Sequence, residues 1–303
     1  MASSAETTPL VDHIVILVPH SFLSAPPSWF SEVFHFHAGG RHADGRTENS
    51  LVYLPDGAYL EFIAFVPGID PADRATHHWG SKKEGHVIDW AVTLPSTAVD
   101  DAEREKERVE EGSGGALRLE KLFREVQRKV REQNTGIVYA DLRRGGRIRP
   151  DGEVLKWSTA FAKRVDGQAL ELGTLPFWCL DVTPRHLRVP FEQPGNAKHP
   201  SGVVGVAKVE IHPELPKTSE NAKGVYGALF EKQTTESEWK LSSLAGHNVH
   251  SGGAVSLGAS DGPARIDISF FTDDASWVGK SVGGKIDEET TLTFHLVSAS
   301  GAN

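Results

Sequence analysis

The residue that most demands a chemical explanation is Glu61. It sits inside the apolar run YLEFIAF at 59–65, where a carboxylate is costly to bury unless a cation, a metal or hydrogen-bond donors meet it. Strand alternation puts Tyr59, Glu61 and Ile63 on one face, so the carboxyl either finds such a partner inside or points to water from an open face. His13, within LVDHIVILVP at 10–19, is the second residue of interest. A neutral imidazole with a carboxylate suits zinc, iron, manganese or nickel at roughly 2.0–2.2 Å, although an imidazole hydrogen-bonded within a sheet is the plain alternative. Their separation in sequence carries none of the local specificity of an HExxH or CxxC motif.

Further groups surround these two. The segment HFHAGGRHADGRTEN at 35–49 reads as a loop in which His42, Thr47 and Asn49 offer an imidazole, a hydroxyl and an amide. Its glycines would let backbone approach a ligand closely, and the same composition also suits ordinary turns. Trp90, Trp157 and Trp178 fit core positions or a stacking wall for an aromatic substrate, with Trp90 and Trp157 the candidates for that wall. Arg143, Arg144, Arg147 and Arg149 read as a charged hairpin edge or as a greeting for a carboxylate or phosphate. His35 and His37 fit a helix end, while His77, His78, His247 and His250 fall in polar, glycine-bearing loops and read as solvated.

The elements that would position these residues follow a repeating order. Leu10–Pro19 reads as a central strand, and Pro26 to Phe34 as a short helix opened by proline. The run SLVYLPDGAYLEFIAF at 50–65 reads as a hairpin on a two-residue Asp56-Gly57 turn, which would set Val52 opposite Glu61. A second round has a strand at 86–94, helices at 96–111 and 117–132, and strands at 136–142, 154–163 and 175–182. A proline-rich connector at 184–200 precedes a third round: a strand at 202–211, a helix at 219–232, and strands at 254–257, 265–272 and near the C-terminus. The expected fold class is α+β, built of repeated βαβββ modules at about 10–66, 86–183 and 201–298, with the order of elements as the repeating unit.

Composition narrows the functions. The 303 residues carry a formal net charge of −9 with scattered basic residues, so no electrostatic footprint for nucleic acid exists. No stretch approaches the roughly 20 apolar residues of a membrane span, and the N-terminus lacks a signal-peptide pattern. The single cysteine, Cys179, cannot form an internal disulfide, and a cytoplasmic location is expected. GxSxG, P-loop and dinucleotide fingerprints are missing, which leaves a small-molecule partner and no nucleotide cofactor as the expectation.

Two sets of residues carry a family resemblance. VDHIVILVP at 11–19, GGRHADGRTEN at 39–49 and DGAYLEFIAF at 56–65, followed by DGEVLKWS at 151–158, LPFWCLDV at 175–182 and HPSGVVGVAKVEI at 199–211, resemble the glyoxalase-like domain family of the vicinal-oxygen-chelate superfamily. That superfamily includes glyoxalases, bleomycin and fosfomycin resistance proteins and extradiol dioxygenases. The resemblance implies paired βαβββ modules whose mixed sheets form an open cup, with a divalent metal (Zn, Fe, Mn or Ni) held by His13 and Glu61. It places Trp90 or Asp89 and then Asp181 at the corresponding positions of the second module, and Lys208 and Asp267 in the third. The implied activity is a metal-dependent lyase or isomerase acting on a small oxygenated metabolite, with Glu61 or Asp181 moving the proton. A metal-free binding or sequestering protein and an extradiol-type dioxygenase are the alternatives, and a homodimer through exposed module edges is reasonable.

Overall fold

The computed structural model describes residues 4–96, 102, 115–230, 233–244, 253–260 and 262–300. Most of the helix expected over 96–111, and the segment with His247 and His250, lie outside these residues. Strands β1 (Leu10–Leu17), β2 (His37–His42), β3 (Thr47–Tyr53) and β4 (Tyr59–Phe65) form the first module. The second comprises β5 (His86–Thr93), β7 (Arg143–Ile148), β8 (Val154–Ala160) and β10 (Phe177–Asp181). A small ladder of β6 (Ile137–Tyr139) and β9 (Ala162–Arg164) sits beside it.

Each set of four strands curls into a cup, and the cups join along β1–β5 and again at Arg41–Ile148 and His42–Arg147 between β2 and β7. The order β1-β4-β3-β2-β7-β8-β10-β5 thereby closes into a ring. The remaining strands, β11 (Val203–His212), β12 (Gln233–Thr235), β13 (Glu238–Lys240), β14 (Ala254–Leu257), β15 (Arg265–Thr272), β16 (Ser281–Lys285) and β17 (Thr291–Ser298), form a sheet ordered β12-β13-β14-β11-β15-β17-β16. That order repeats the ring's β2-β3-β4-β1-β5-β10-β8 and stops one strand short, so the second sheet stays open.

Helices Gly115–Glu132 and Pro216–Leu229 lie against the outer face of the ring. Trp90 of β5 stacks near Tyr226 and Phe230, and Trp178 of β10 meets Phe123 and Tyr139 edge-on. One continuous apolar core runs from the ring's outer face (Ile14, Ile16, Phe62, Trp90, Trp178) through these helices to Val209, Ile211, Ile268, Phe270 and Phe294 of the open sheet. A second, smaller cluster of Val15, Leu17, Ile63, Ala91, Phe177 and Cys179 fills part of the ring's interior. The α+β fold of mostly strands is thus the one expected, and among the described residues no helix is long and apolar enough to cross a membrane.

Three local expectations need correction. The β3–β4 hairpin turns on three residues, Pro55 to Gly57, with Leu54 and Ala58 paired and Gly57 at φ 86°; a left-handed glycine ending a three-residue loop shifts the register by one. Leu51 therefore faces Glu61, in place of Val52. The segment at 37–49 is a strand pair and not a loop, with a bulge between Ala38 and Gly40 that the glycines accommodate. The ring strand of the second module is the arginine-rich β7, while Ile137–Tyr139 pairs only with β9.

Candidate functional site

The ring encloses a cavity of about 300 Å³. Its polar wall belongs to the first module. Glu61 is buried and faces inward, and Asn49, on the neighbouring strand and diagonal to it, donates Nδ2 to Glu61 Oε1 at 2.5 Å. His42 Nε2 lies 3.4 Å from the same oxygen, and His13 Nε2 lies 3.6 Å from Oε2. Burial pushes the Glu61 carboxyl up, but the hydrogen bond and charge of His42, the charge of His13 and the Asn49 amide outweigh it and hold the group at about 2. The carboxylate is therefore ionised at neutral pH.

Supports reach outward from these groups. Thr47 Oγ1 lies 2.7 Å from His42 Nδ1. Gly39 makes room for Asn49, because a Cβ there would lie 2.0 Å from Asn49 Oδ1. His13 is sandwiched between Tyr59, stacked at 4.6 Å, and the edge of Phe177. Its Nδ1 is 2.5 Å from Asp12 Oδ1, which is possible because a bulge between Val11 and His13 brings two consecutive side chains together. Asp12 is in turn gripped by Arg185 and Arg188, which also hold Asp181. Burial raises Asp12 and Asp181, but the two guanidiniums outweigh it and keep both carboxyls below the usual range.

The opposite wall is mostly aromatic. Trp157, Phe161, Phe177 and Trp79 line it, with Phe161 and Phe177 stacked at 4.8 Å, and Gly145 leaves space for the Trp157 indole. Cys179 and the buried Arg147 complete the lining. His77 and His78 also reach the cavity, where burial lowers both, His78 to about 4; His77 is half-buried, which corrects its solvated reading, while His78 stays exposed at the rim.

Of the residues singled out by sequence, His13, Glu61, His42, Thr47, Asn49 and Trp157 converge on the cavity. Trp90 does not: its side chain leaves the ring on the opposite face and packs against Tyr226 and Phe230, because β5 is buried on both faces. Asp181 is sequestered by Arg185 and Arg188 and does not line the cavity, so neither arginine-bound oxygen is placed to accept a proton from a ligand. Pairing also corrects the second-module correspondences. His13 pairs with Tyr59 as Ala91 pairs with Phe177, so the partners of His13 and Glu61 in that module are Ala91 and Cys179. Asp12, Arg185 and Arg188 were missed, although an acid inside VDHIV carries the burial-cost signal that singled out Glu61.

The donors suit a divalent metal, on one of two sets. Asp12, His13 and Cys179 offer ligand atoms within 4.8 Å of one another, but both Asp12 oxygens already accept from guanidiniums and burial pushes the Cys179 thiol well up. His13 and Glu61 fit better. With His13 neutral and its Nδ1–H donated to Asp12, the arrangement of carboxylates behind metal-bound histidines, Nε2 turns its lone pair toward an ionised oxygen, whereas a protonated ring donates to both carboxylates. In that neutral form two acceptors 3.6 Å apart fit a positive centre between them, since two ligands about 2.1 Å from one tetrahedral ion lie about 3.4 Å apart. His42 Nε2 lies against the other oxygen, Oε1, and among the described residues does not join His13 and Glu61 in a compact three-ligand group.

Comparison with known proteins gives a consistent result. The sequence profile of the glyoxalase-like domain family matches residues 11–225. No curated protein matches the chain. A hypothetical protein from Staphylococcus aureus shares the fold, with a TM-score of 0.57 at 11% identity over 95% of this chain and 100% of that one. A xylose isomerase-like TIM barrel/4-hydroxyphenylpyruvate dioxygenase fusion protein aligns with a TM-score of 0.43 at 12% identity over 90% of this chain and 37% of that one.

Proposed function

Because the chain belongs to the glyoxalase-like domain family of the vicinal-oxygen-chelate superfamily, we propose that the ring cavity is the active site of a metal-dependent lyase or isomerase acting on a small oxygenated metabolite. His13 and Glu61 would hold the ion. The observation that carries this reading is the approach of His13 Nε2 to the ionised Glu61 carboxylate at 3.6 Å inside an aromatic-walled cavity. A divalent ion bound there supplies Lewis acidity toward a carbonyl or enolate oxygen.

The chain's own groups do the rest. Asp12 fixes the His13 ring, and Asn49 fixes the Glu61 carboxylate. Trp157, Phe161 and Phe177 exclude water, which strengthens every charge interaction inside. If Glu61 is not a ligand, its Oε2 is the base that accepts a substrate proton.

A second reading, metal-free binding or sequestration, is favoured by one specific feature: Ala91 and Cys179 stand where a second-module histidine and carboxylate would complete the ligand set. Metal analysis of untagged protein after manganese, zinc, nickel or iron reconstitution separates the two. One equivalent of metal, lost in His13→Ala and Glu61→Gln, supports the enzyme reading. Metal retained by both variants, or none bound under any condition, overturns it.

A further inference from the structure

Arg147 is a buried cation with no carboxylate in contact among the described residues, and the ionised Glu61 acts on it only through space. It projects from β7 into the same cavity as Glu61, and its side-chain partners, the Gly39 carbonyl and the Tyr53 hydroxyl, are neutral. Among the described residues no carboxylate lies within 4.0 Å of its guanidinium. The contrast with Arg185 and Arg188 is direct: those two are balanced by Asp12 and Asp181 in a neutral cluster. A buried charge is normally paired, and a guanidinium presents a planar fork matched to a carboxylate.

The surroundings say what such an anion would be attached to. Trp157 on β8 and the stacked pair Phe161 and Phe177 form the apolar wall of the cavity. Gly145, two residues before Arg147 on the same strand, keeps the indole edge of Trp157 unobstructed, since a Cβ there would lie 2.9 Å from its Nε1. Building on the reading of the cavity as a substrate site, we propose that its ligand is a small carboxylate bearing an aromatic body, with the carboxylate paired to Arg147 and the ring against Trp157 and Phe177. The oxygenated carbon next to the carboxylate then lies on the side of Glu61 and His13.

Calorimetry with phenylacetate, 3-phenylpropanoate and their neutral amides tests this, on chelator-treated and on manganese-loaded protein. Wild type is expected to bind at least one acid more tightly than its amide by about tenfold or more, with acetate about tenfold weaker than that acid. In Arg147→Gln, which keeps a donor for the Gly39 carbonyl, the acid and amide should bind within about twofold of one another, and Arg147→Lys should fall between. Equal binding of acid and amide by wild type, binding of neither, or a preference that survives in Arg147→Gln overturns the proposal. If Arg147→Gln fails to fold, the wild-type acid-to-amide ratio decides alone. Metal content read on the same samples separates the two readings: metal bound without acid preference removes only the anion anchor, and acid preference without metal removes only the metal reading.

Discussion

The ring and the open sheet follow one plan with opposite outcomes. In both, the leading strand (β1 or β11) pairs antiparallel with the next central strand (β5 or β15) and parallel with the last strand of its own set (β4 or β14). Both leading strands bulge immediately before an equivalent residue, His13 in the ring and Lys208 in the sheet. Lys208 pairs with Ala254 and Ser269, as His13 pairs with Tyr59 and Ala91, so Ser256 stands where the ring has Glu61 and Ala207 stands for Asp12. The ring closes through β7 and shields its inner face. Among the described residues the sheet has no such strand, and alternate residues of β17 are exposed along its length. Closure, more than topology, decides whether a charge on the inner face is a strong, desolvated group or an ordinary surface one.

That comparison can be broken in several places. The largest effect is expected at Arg188: its replacement by Met leaves the buried Asp12 and Asp181 to share Arg185 alone and should lower stability by about 3–5 kcal/mol, whereas losing Lys208 from its half-exposed pair with Glu210 should cost under about 1 kcal/mol. Urea denaturation of both variants measures this, and equal losses would remove the distinction. Next, Glu61→Gln should reduce metal affinity by more than the roughly 10–100-fold typical of losing a supporting partner, while Ser256→Ala leaves it unchanged, as read by competition with a chromophoric chelator.

A smaller effect concerns Asp89, inside the ring beneath Trp79. Burial, only partly offset by hydrogen bonds from the Trp79 indole and the Trp90 amide, raises its carboxyl from 3.8 to about 7. The folded protein therefore keeps this proton up to about pH 7, while the unfolded chain loses it near 3.8, and stability falls as pH rises through that window. Asp89→Asn should flatten this part of the stability profile and stabilise the protein above pH 7, by a few kcal/mol at most, about 1.4 for each pKa unit. Asp267→Asn, at the matching but half-exposed place in the sheet, where the carboxylate pairs with His212 and Arg265, should change stability by less than about 1 kcal/mol. Wild-type and Asp89→Asn profiles that run parallel from pH 4 to 7 would contradict this assignment.

Much of this was legible in the sequence. Glu61 stood out because a carboxylate inside an apolar strand needs a partner, and His42, Thr47 and Asn49 were found by type even though they lie on strands and not in a loop. Lys208 was matched correctly to His13. Trp90 and Asp181 were misplaced because β5 and β10 are buried on both faces, so hydrophobicity does not say which face is inside the ring. The bulge at Asp12 and the three-residue turn at Pro55 to Gly57 each shift alternation by one, and sequence alternation alone does not reveal either. Arg147 was read as one of four edge charges because RRGGRI lacks the apolar character of a buried strand. Arg185 and Arg188 lie in a proline-rich stretch, and their partners, Asp12 and Asp181, are assembled only by the tertiary fold.

Paramagnetic broadening by manganese(II), read in amide spectra of the deuterated protein, tests the central claim that the closed ring and not its open counterpart holds the ion. Selective loss of signals around His13, His42 and Glu61, with those around Lys208 and Ser256 intact, is the predicted result. Broadening centred on the open sheet, or none at stoichiometric manganese, would contradict it.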